Sequence, residues 1–523
     1  MNKPDLSPRI TSFLLLGVSA LIPFLIIIPN YFPYLGLSIT FAVLSAVVFS
    51  GVKKSRYHIA LFLSALSFSL FIAIRANPFL TFLNSIAIMY TNAVLIRYQK
   101  DEAVALFSLI FSPVTVFFKS LITTHSPYAL DMKHVFSKRS TGIKRYVGGN
   151  LLALGITVLV LLVIVPLLSS ANPLFGRLVE DVVKLFSLER FFTFLSSSRG
   201  FMYSVRLATF FVLLVFLPRM LWYTTSQKEH THKQIFSFIT PQLLIPKVTV
   251  LFVLTVFFIT QLQLYFSTEQ TLLVLGYTHS QYAREVFGQL TLVTLIVFGL
   301  MYGDTGNSRL SRILTYILSI QALFLTFIAF KSDYDYSSTW GFTYKRLWGF
   351  AGVAWTFGLF SLFTRSYALQ ASREKFLKQA VMLTSITLIA INAINFDYVI
   401  YHYAKTTLPT GTDHYYLSYL TPDAYSYSKH LPVLMEIVQK REGDEIMRRS
   451  NVNAAQHIVY RLRNLQEMYR DIHPFAYNYA EYRTVQESKN LPLEAYQQII
   501  NEELNVLNIT PFLPDPIVIE EYR

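Results

Sequence analysis

Between Thr11 and Phe396 the chain alternates long apolar runs with short polar joints, and after Asp397 that rhythm stops. Each run holds 16 to 22 residues with almost no ionised side chain. A helix rising about 1.5 Å per residue needs that length to cross a hydrocarbon core about 30 Å thick. The pattern predicts about eleven spans: 11–28, 34–52, 59–74, 78–96, 147–168, 205–221, 247–266, 286–302, 313–330, 348–363 and 378–396. Pro23 is the one proline well inside a span, and a kink is its expected effect.

The stretches between and after the spans carry patterns of their own. Residues 101–128 are apolar but broken by Pro113, Lys119 and His125, which suits a helix lying along the interface or re-entering it. Residues 176–201 alternate Leu, Val and Phe with charges and read as an amphipathic surface helix. Simple packing of each against the bundle explains the patterns equally well. In the tail, Thr421-Pro422-Asp423 and Leu431-Pro432 have the form of helix starts. Ala455, Ile458, Val459, Leu462 and Leu465 keep helical spacing. So do Tyr496, Ile499, Ile500, Leu504 and Leu507, after Pro492 and Glu494. These stripes need partners, so the tail is expected to be a small helical domain or a cap on the bundle. Pro511, Pro514 and Pro516 then call for an extended end.

Composition fits a polytopic membrane protein. The chain is 53% hydrophobic and 15% charged, against about 25% charged in an ordinary soluble domain. Its 44 Phe and 33 Tyr suit lipid-facing surfaces and interfacial belts. With no cysteine, disulfides, thiolate metal sites and a catalytic thiol are excluded. The first apolar run is too long for a signal-peptide core and lacks a small-x-small exit, so it reads as a retained span. The net charge of +14 divides unevenly: residues 397–523 hold 12 Lys/Arg and 17 Asp/Glu, a net −5, leaving +19 on the membrane part. Those basic residues sit in short loops, 23 on one side and 10 on the other outside the tail. Orientation in a membrane accounts for them better than nucleic-acid binding does. The bias places the N-terminus in the cytoplasm, and an odd number of spans then places the tail outside it.

Several stretches resemble a bacterial family of multi-pass membrane proteins defined by a domain of unknown function (the 4153/4173 type). Ser170-Ala171-Asn172-Pro173-Leu174-Phe175 is similar to the family's S-A-D-P-x-F, with Asn172 where Asp is usual. Tyr282-Ala283-Arg284-Glu285, leading into Phe287-Gly288-Gln289-Leu290, resembles Y-A-R-x-G-F-x-Q-L with Phe and Gly exchanged. Trp340-Gly341-Phe342-Thr343-Tyr344-Lys345-Arg346 is similar to Y-G-L-T-x-x-R. Asn395-Phe396-Asp397, then Tyr416-Leu417 through Asp423-Ala424, resemble N-x-D and Y-L…L-x-x-D-A. The resemblance implies a fold and a bacterial source, and the expected location is the bacterial inner membrane. It supplies no activity and no catalytic residue.

Most of these motifs fall at the outer ends of spans, where Asn172, Tyr282, Arg284, Glu285, Arg346 and Asp397 are expected to gather. A polar site for an anionic head group or a peptide is one reading, with Arg284 and Arg346 as anion ligands. Ion pairs that lock span ends and seat the tail are the other, and the preferred one. Asp333 and Asp335 form a D-x-D on an outer loop, the spacing that can hold a divalent ion clamping a phosphorylated donor. A solvated loop is the plainer reading. The span interiors offer amides rather than buried charge (Asn84, Asn92, Gln261, Gln263, Gln289 and Asn392), which argues against ion-coupled transport. His230-Thr231-His232 lacks a third ligand nearby. No phosphate loop, zinc-protease helix, nucleophile elbow or kinase signature is present, and no cofactor is expected.

The expectation is an all-α polytopic bundle, residues 1–396, with an extracytoplasmic helical domain, residues 397–523. Its expected role is that of a scaffold or sensor, held among membrane lipids and presenting its tail to a cell-envelope protein. An envelope enzyme acting on lipid-linked or glycan substrates is the alternative, and a transporter or lipid-handling protein the third. An enzyme depends on Asp333, a scaffold on the tail, and a transporter on a continuous polar path lined by Asn and Gln.

Overall fold

The computed structural model describes residues 8–28, 31–52, 55–99, 109–114, 116, 198–225, 309–370, 372–404 and 412–508, with scattered positions between 247 and 302. Every regular element among them is helical. Among the described residues the apolar part shows eight helices: α1 (Pro8–Ile26), α2 (Tyr34–Ser50), α3 (Arg56–Ile74), α4 (Pro78–Gln99), α5 (Ser198–Thr225), α6 (Arg309–Trp340), α7 (Tyr344–Ala368) and α8 (Arg373–Ile394). Among the described residues, five of them (α3, α4, α6, α7 and α8) are long and apolar enough to cross a membrane. Leu14–Ile26 and Tyr34–Ser50 are shorter apolar helices. Large apolar side chains such as Leu70, Phe82, Phe327 and Ile386 lie more than half exposed along these helices. A soluble surface does not tolerate such a belt, whereas lipid does.

The helices begin and end where the sequence supplies caps. Ser55 accepts from the His58 N–H at the start of α3, and Ser372 from the Lys375 N–H at the start of α8. Pro78 stands first in α4, where its missing N–H costs nothing. The buried face of α2 is Gly36, Ser38, Thr40, Ser45 and Val48, small enough for close helix approach. At Gly36 a Cβ would stand 1.7 Å from the Leu25 carbonyl oxygen, so α1 and α2 meet there backbone to backbone. The amides bridge neighbouring helices: Asn84 and Asn392 exchange two 2.9 Å hydrogen bonds, and Asn92 donates to Ser45. These groups close on each other inside the bundle.

The tail continues as α9 (Phe396–His402), α10 (His414–Ser418), a 3-10 turn (Pro422–Ala424), α11 (Tyr427–Lys440), α12 (Glu445–Met468), a second 3-10 turn (Pro474–Ala476), α13 (Tyr479–Ser488) and α14 (Leu493–Val506). The two apolar stripes meet. Ala455, Ile458, Val459 and Leu462 of α12 pack with Ile500, Leu504 and Leu507, and with Leu431, Leu434 and Val438 of α11. Glu503, buried in that core's edge, is answered by Arg441 at 2.8 Å and Arg448 at 3.1 Å.

Two expectations are corrected. Leu431-Pro432 does not start a helix: α11 begins at Tyr427, because Tyr427, Leu431 and Leu434 form one buried stripe, and Pro432 lies inside it. The loop expected around Asp333 and Asp335 is helical, since α6 runs on to Trp340. The expected span 147–168, Gln261, Gln263, Gln289, the His230–His232 pair and the extended end after residue 508 lie outside the described residues. So do most of 101–128 and 176–201.

Candidate functional site

A buried polar cluster lies where α3 stops, α4 starts and α8 stops, all at one end of the bundle. Asp423, in the tail's first 3-10 turn, reaches back to that end. Its Oδ1 accepts the Ala76 N–H at 3.1 Å and its Oδ2 accepts the Asn77 N–H at 3.0 Å. These are amides at the N-terminus of α4, where a carboxylate is favoured by the helix dipole. Arg75 does the converse for α8. It donates to the carbonyls of Asn392 and Ala393, in the last turn of that helix, and stands 4.0 Å from Asp423.

Further residues close the joint. Asn395, in the left-handed region at φ 57°, caps α9 through its Oδ1 and gives its Nδ2 to the Asp423 carbonyl at 2.7 Å. Asp397 accepts the Thr421 N–H at 2.7 Å, the Asn77 amide at 3.3 Å and the Tyr344 hydroxyl. Asn478 caps α13 and donates to the Arg75 carbonyl at 2.8 Å, which ties a third tail segment to the span end. An apolar seat surrounds the polar centre: Leu80, Leu347 and Ile391 from the spans, against Leu417, Leu420 and Ala424 from the tail.

Burial sets the electrostatics. Asp423 is 0% and Asp397 1% exposed, and Arg75 only 6%. Burial pushes the Asp423 carboxyl up to about 7, and the Asp397 charge adds to it. Arg75 and the Ala76 and Asn77 amides pull the other way. Glu481 of α13, behind this centre, is likewise pushed up to about 7 by burial, against a 2.9 Å hydrogen bond from the Tyr469 hydroxyl. The arrangement is sealed against solutes and can hold a structural contact or a proton.

Of the residues singled out in the sequence, Asp397 lies in this joint. Arg346 does not pair with it: it donates to the Gly341 carbonyl and stacks on the Tyr336 ring at 3.9 Å. Asn172, Tyr282, Arg284 and Glu285 lie outside the described residues. Asp333 and Asp335 are two residues apart on α6, a spacing that turns their side chains about 200° apart around a helix. Asp335 is held by Lys331 one turn back, and one oxygen of Asp333 is buried without a hydrogen bond, with the Arg346 charge nearby. Among the described residues, no three His, Asp or Glu side chains are grouped as metal ligands. Sequence reasoning missed Arg75, Asn77, Asp423 and Asn478 as site residues. The one available signal was that Asp423-Ala424 and Asn395-x-Asp397 stood out together as motifs.

A family model described as a domain of unknown function (DUF4153) matches residues 62–431. The match takes in the span ends, Asp397 and Asp423, and stops within α11. No curated protein and no solved structure matches the chain.

Proposed function

We infer the role of this chain, an integral membrane protein that belongs to the DUF4153 family of domains of unknown function, from the way its tail is seated. It is a membrane scaffold of the cell envelope. Residues 1–396 anchor it in a bacterial inner membrane with the N-terminus in the cytoplasm, and residues 397–523 form an extracytoplasmic helical domain offered to a protein partner. The observation that carries this reading is the Asp423 carboxylate, which takes both amides at the head of α4. A tail fixed in that way has one orientation over the membrane, and a pre-oriented surface loses less freedom on binding. Its net −5 favours a partner with a basic face.

Co-purification from native membranes tests this, comparing the full chain, an Asp423→Ala variant and a chain truncated after Lys405. The expected result is a protein retained by the full chain and lost from the truncated one, with weaker retention by the variant. Equal recovery of the same proteins by full and truncated chains, both abundant and folded, would sink the scaffold.

A further inference from the structure

The joint buries more negative than positive charge. Asp397, Asp423 and Glu481 lie 9% exposed or less, and among the described residues Arg75 is the cation that pairs with one of them, 4.0 Å from Asp423. Two donors are shared between the aspartates. Asn77 gives its N–H to Asp423 and its side-chain amide to Asp397. Thr421 gives its N–H to Asp397 and its hydroxyl to Asp423 at 3.4 Å. Carboxylates clamped to the same two residues in a dry site repel each other, and one of them is relieved by taking a proton.

We propose that the joint is a proton-binding site, in which a proton taken from water onto Asp423 tightens the seat of the tail and its return to water loosens it. The inference rests on the scaffold reading and names what regulates it. The groups facing Asp423 are known from each element packed around it. Arg75 and the Ala76 and Asn77 amides come from the span ends, Asp397 from α9, and Thr421 and Tyr425 from its own turn. Tyr344 of α7, hydrogen-bonded to Asp397, also faces the Asp423 charge. Glu481 faces it from α13, with the Tyr469 hydroxyl, Tyr34 of α2 and the Arg461 charge behind. Arg75 is the cation at the centre, with Arg461 behind Glu481 and Arg483 over the Tyr425 ring.

The sign follows from linkage. A water-exposed aspartate titrates near 4, and seated Asp423 is pushed up to about 7. Between those values the seated form holds more protons than the loosened one. Seating therefore weakens as pH rises through this window, by up to about ten-fold per pH unit for each proton. Glu481, pushed up in the same way, adds a second proton of the same sign.

Two readouts on the full chain in lipid nanodiscs test this. The infrared carbonyl stretch of a protonated carboxyl is expected in the wild type at pH 6, titrating away near 7, and to be weaker in Asp423→Asn, which leaves only the Glu481 share. The chain has no cysteine, so Ala424→Cys places a single thiol in the seat, and its alkylation relative to the unfolded chain reports opening at each pH. Opening is expected to grow several-fold per unit between pH 5 and 7, with a shallower slope in Asp423→Asn and in Glu481→Gln. A role in structure alone would leave that slope unchanged. If Asp423→Asn does not accumulate, the wild-type infrared titration and Glu481→Gln decide. No protonated carboxyl at pH 6, or slow alkylation without a pH trend, overturns the proton site and leaves the scaffold standing. Alkylation at the unfolded rate at every pH would sink both.

Discussion

The tail is held in two unlike ways. Its own core, Leu431, Leu434, Ile458, Leu462, Ile500 and Leu504, is apolar and drawn from within 74 residues of chain, by the numbering of its outermost members. Its seat on the spans has a polar centre, which joins residues as far apart as Arg75 and Asn478, separated by 403 positions. A core of that kind is stabilised in proportion to the area it removes from water, and tolerates swaps that keep volume. A buried polar joint works only when each group is answered, and each orphaned group costs about 1–3 kcal/mol. The core therefore gives the domain its stability, and the joint gives it an orientation.

The sharpest way to break that division is Asp423→Ala. It strands the Ala76 and Asn77 amides and leaves Arg75 without its carboxylate, a loss of about 3–5 kcal/mol from seating. Limited proteolysis in membranes is expected to release a tail that is itself still folded, by its circular dichroism. Leu462→Ala acts on the other region. A cavity in the core is expected to cost about 2–5 kcal/mol of the tail's own stability, read by its melting temperature, with Asp423's contacts kept below the transition.

Acid separates the regions by sign. Burial pushes His430 and His457 down to about 4. A base whose pKa falls on folding contributes stability that is full above its unfolded value near 6.5 and is lost as pH drops through that value towards 4. The tail's stability, read by its melting temperature, is expected to fall in that window by at most about 1.4 kcal/mol per pH unit for each histidine, and His430→Gln to flatten the fall. Over the same range the joint is expected to tighten. The smallest effect is that of Asp335→Ala, which removes an exposed one-turn pair with Lys331 and is expected to change stability by less than about 1 kcal/mol. A metal-dependent activity abolished by that change would revive the D-x-D site.

Five of the expected spans and the tail core were legible because each rests on a pattern within a short window. Sixteen or more apolar residues announce a membrane helix, and Ala455, Ile458, Val459 and Leu462 announce a helix face. Pro432 misled because proline usually stands at a helix start, yet here the stripe from Tyr427 to Leu434 carries the helix through it. The charged run at 331–335 read as a loop, although Lys331 and Asp335, four apart, already had the spacing of a helical ion pair. The joint left almost no local trace. Asp423 answers amides 346 and 347 residues away, and neither periodicity nor composition carries information over that distance. Only its neighbourhood in a recurrent motif marked it, without a role.

The seating of the tail is tested most directly at the Ala76 and Asn77 amides, whose acceptor is a side chain of the tail. Hydrogen exchange of the segment 75–78 can be compared between the full chain and the chain truncated after Lys405, both in nanodiscs. Slow exchange in the full chain and fast exchange in the truncated one is the expected result. Equal exchange in both would mean that the tail does not hold the span end.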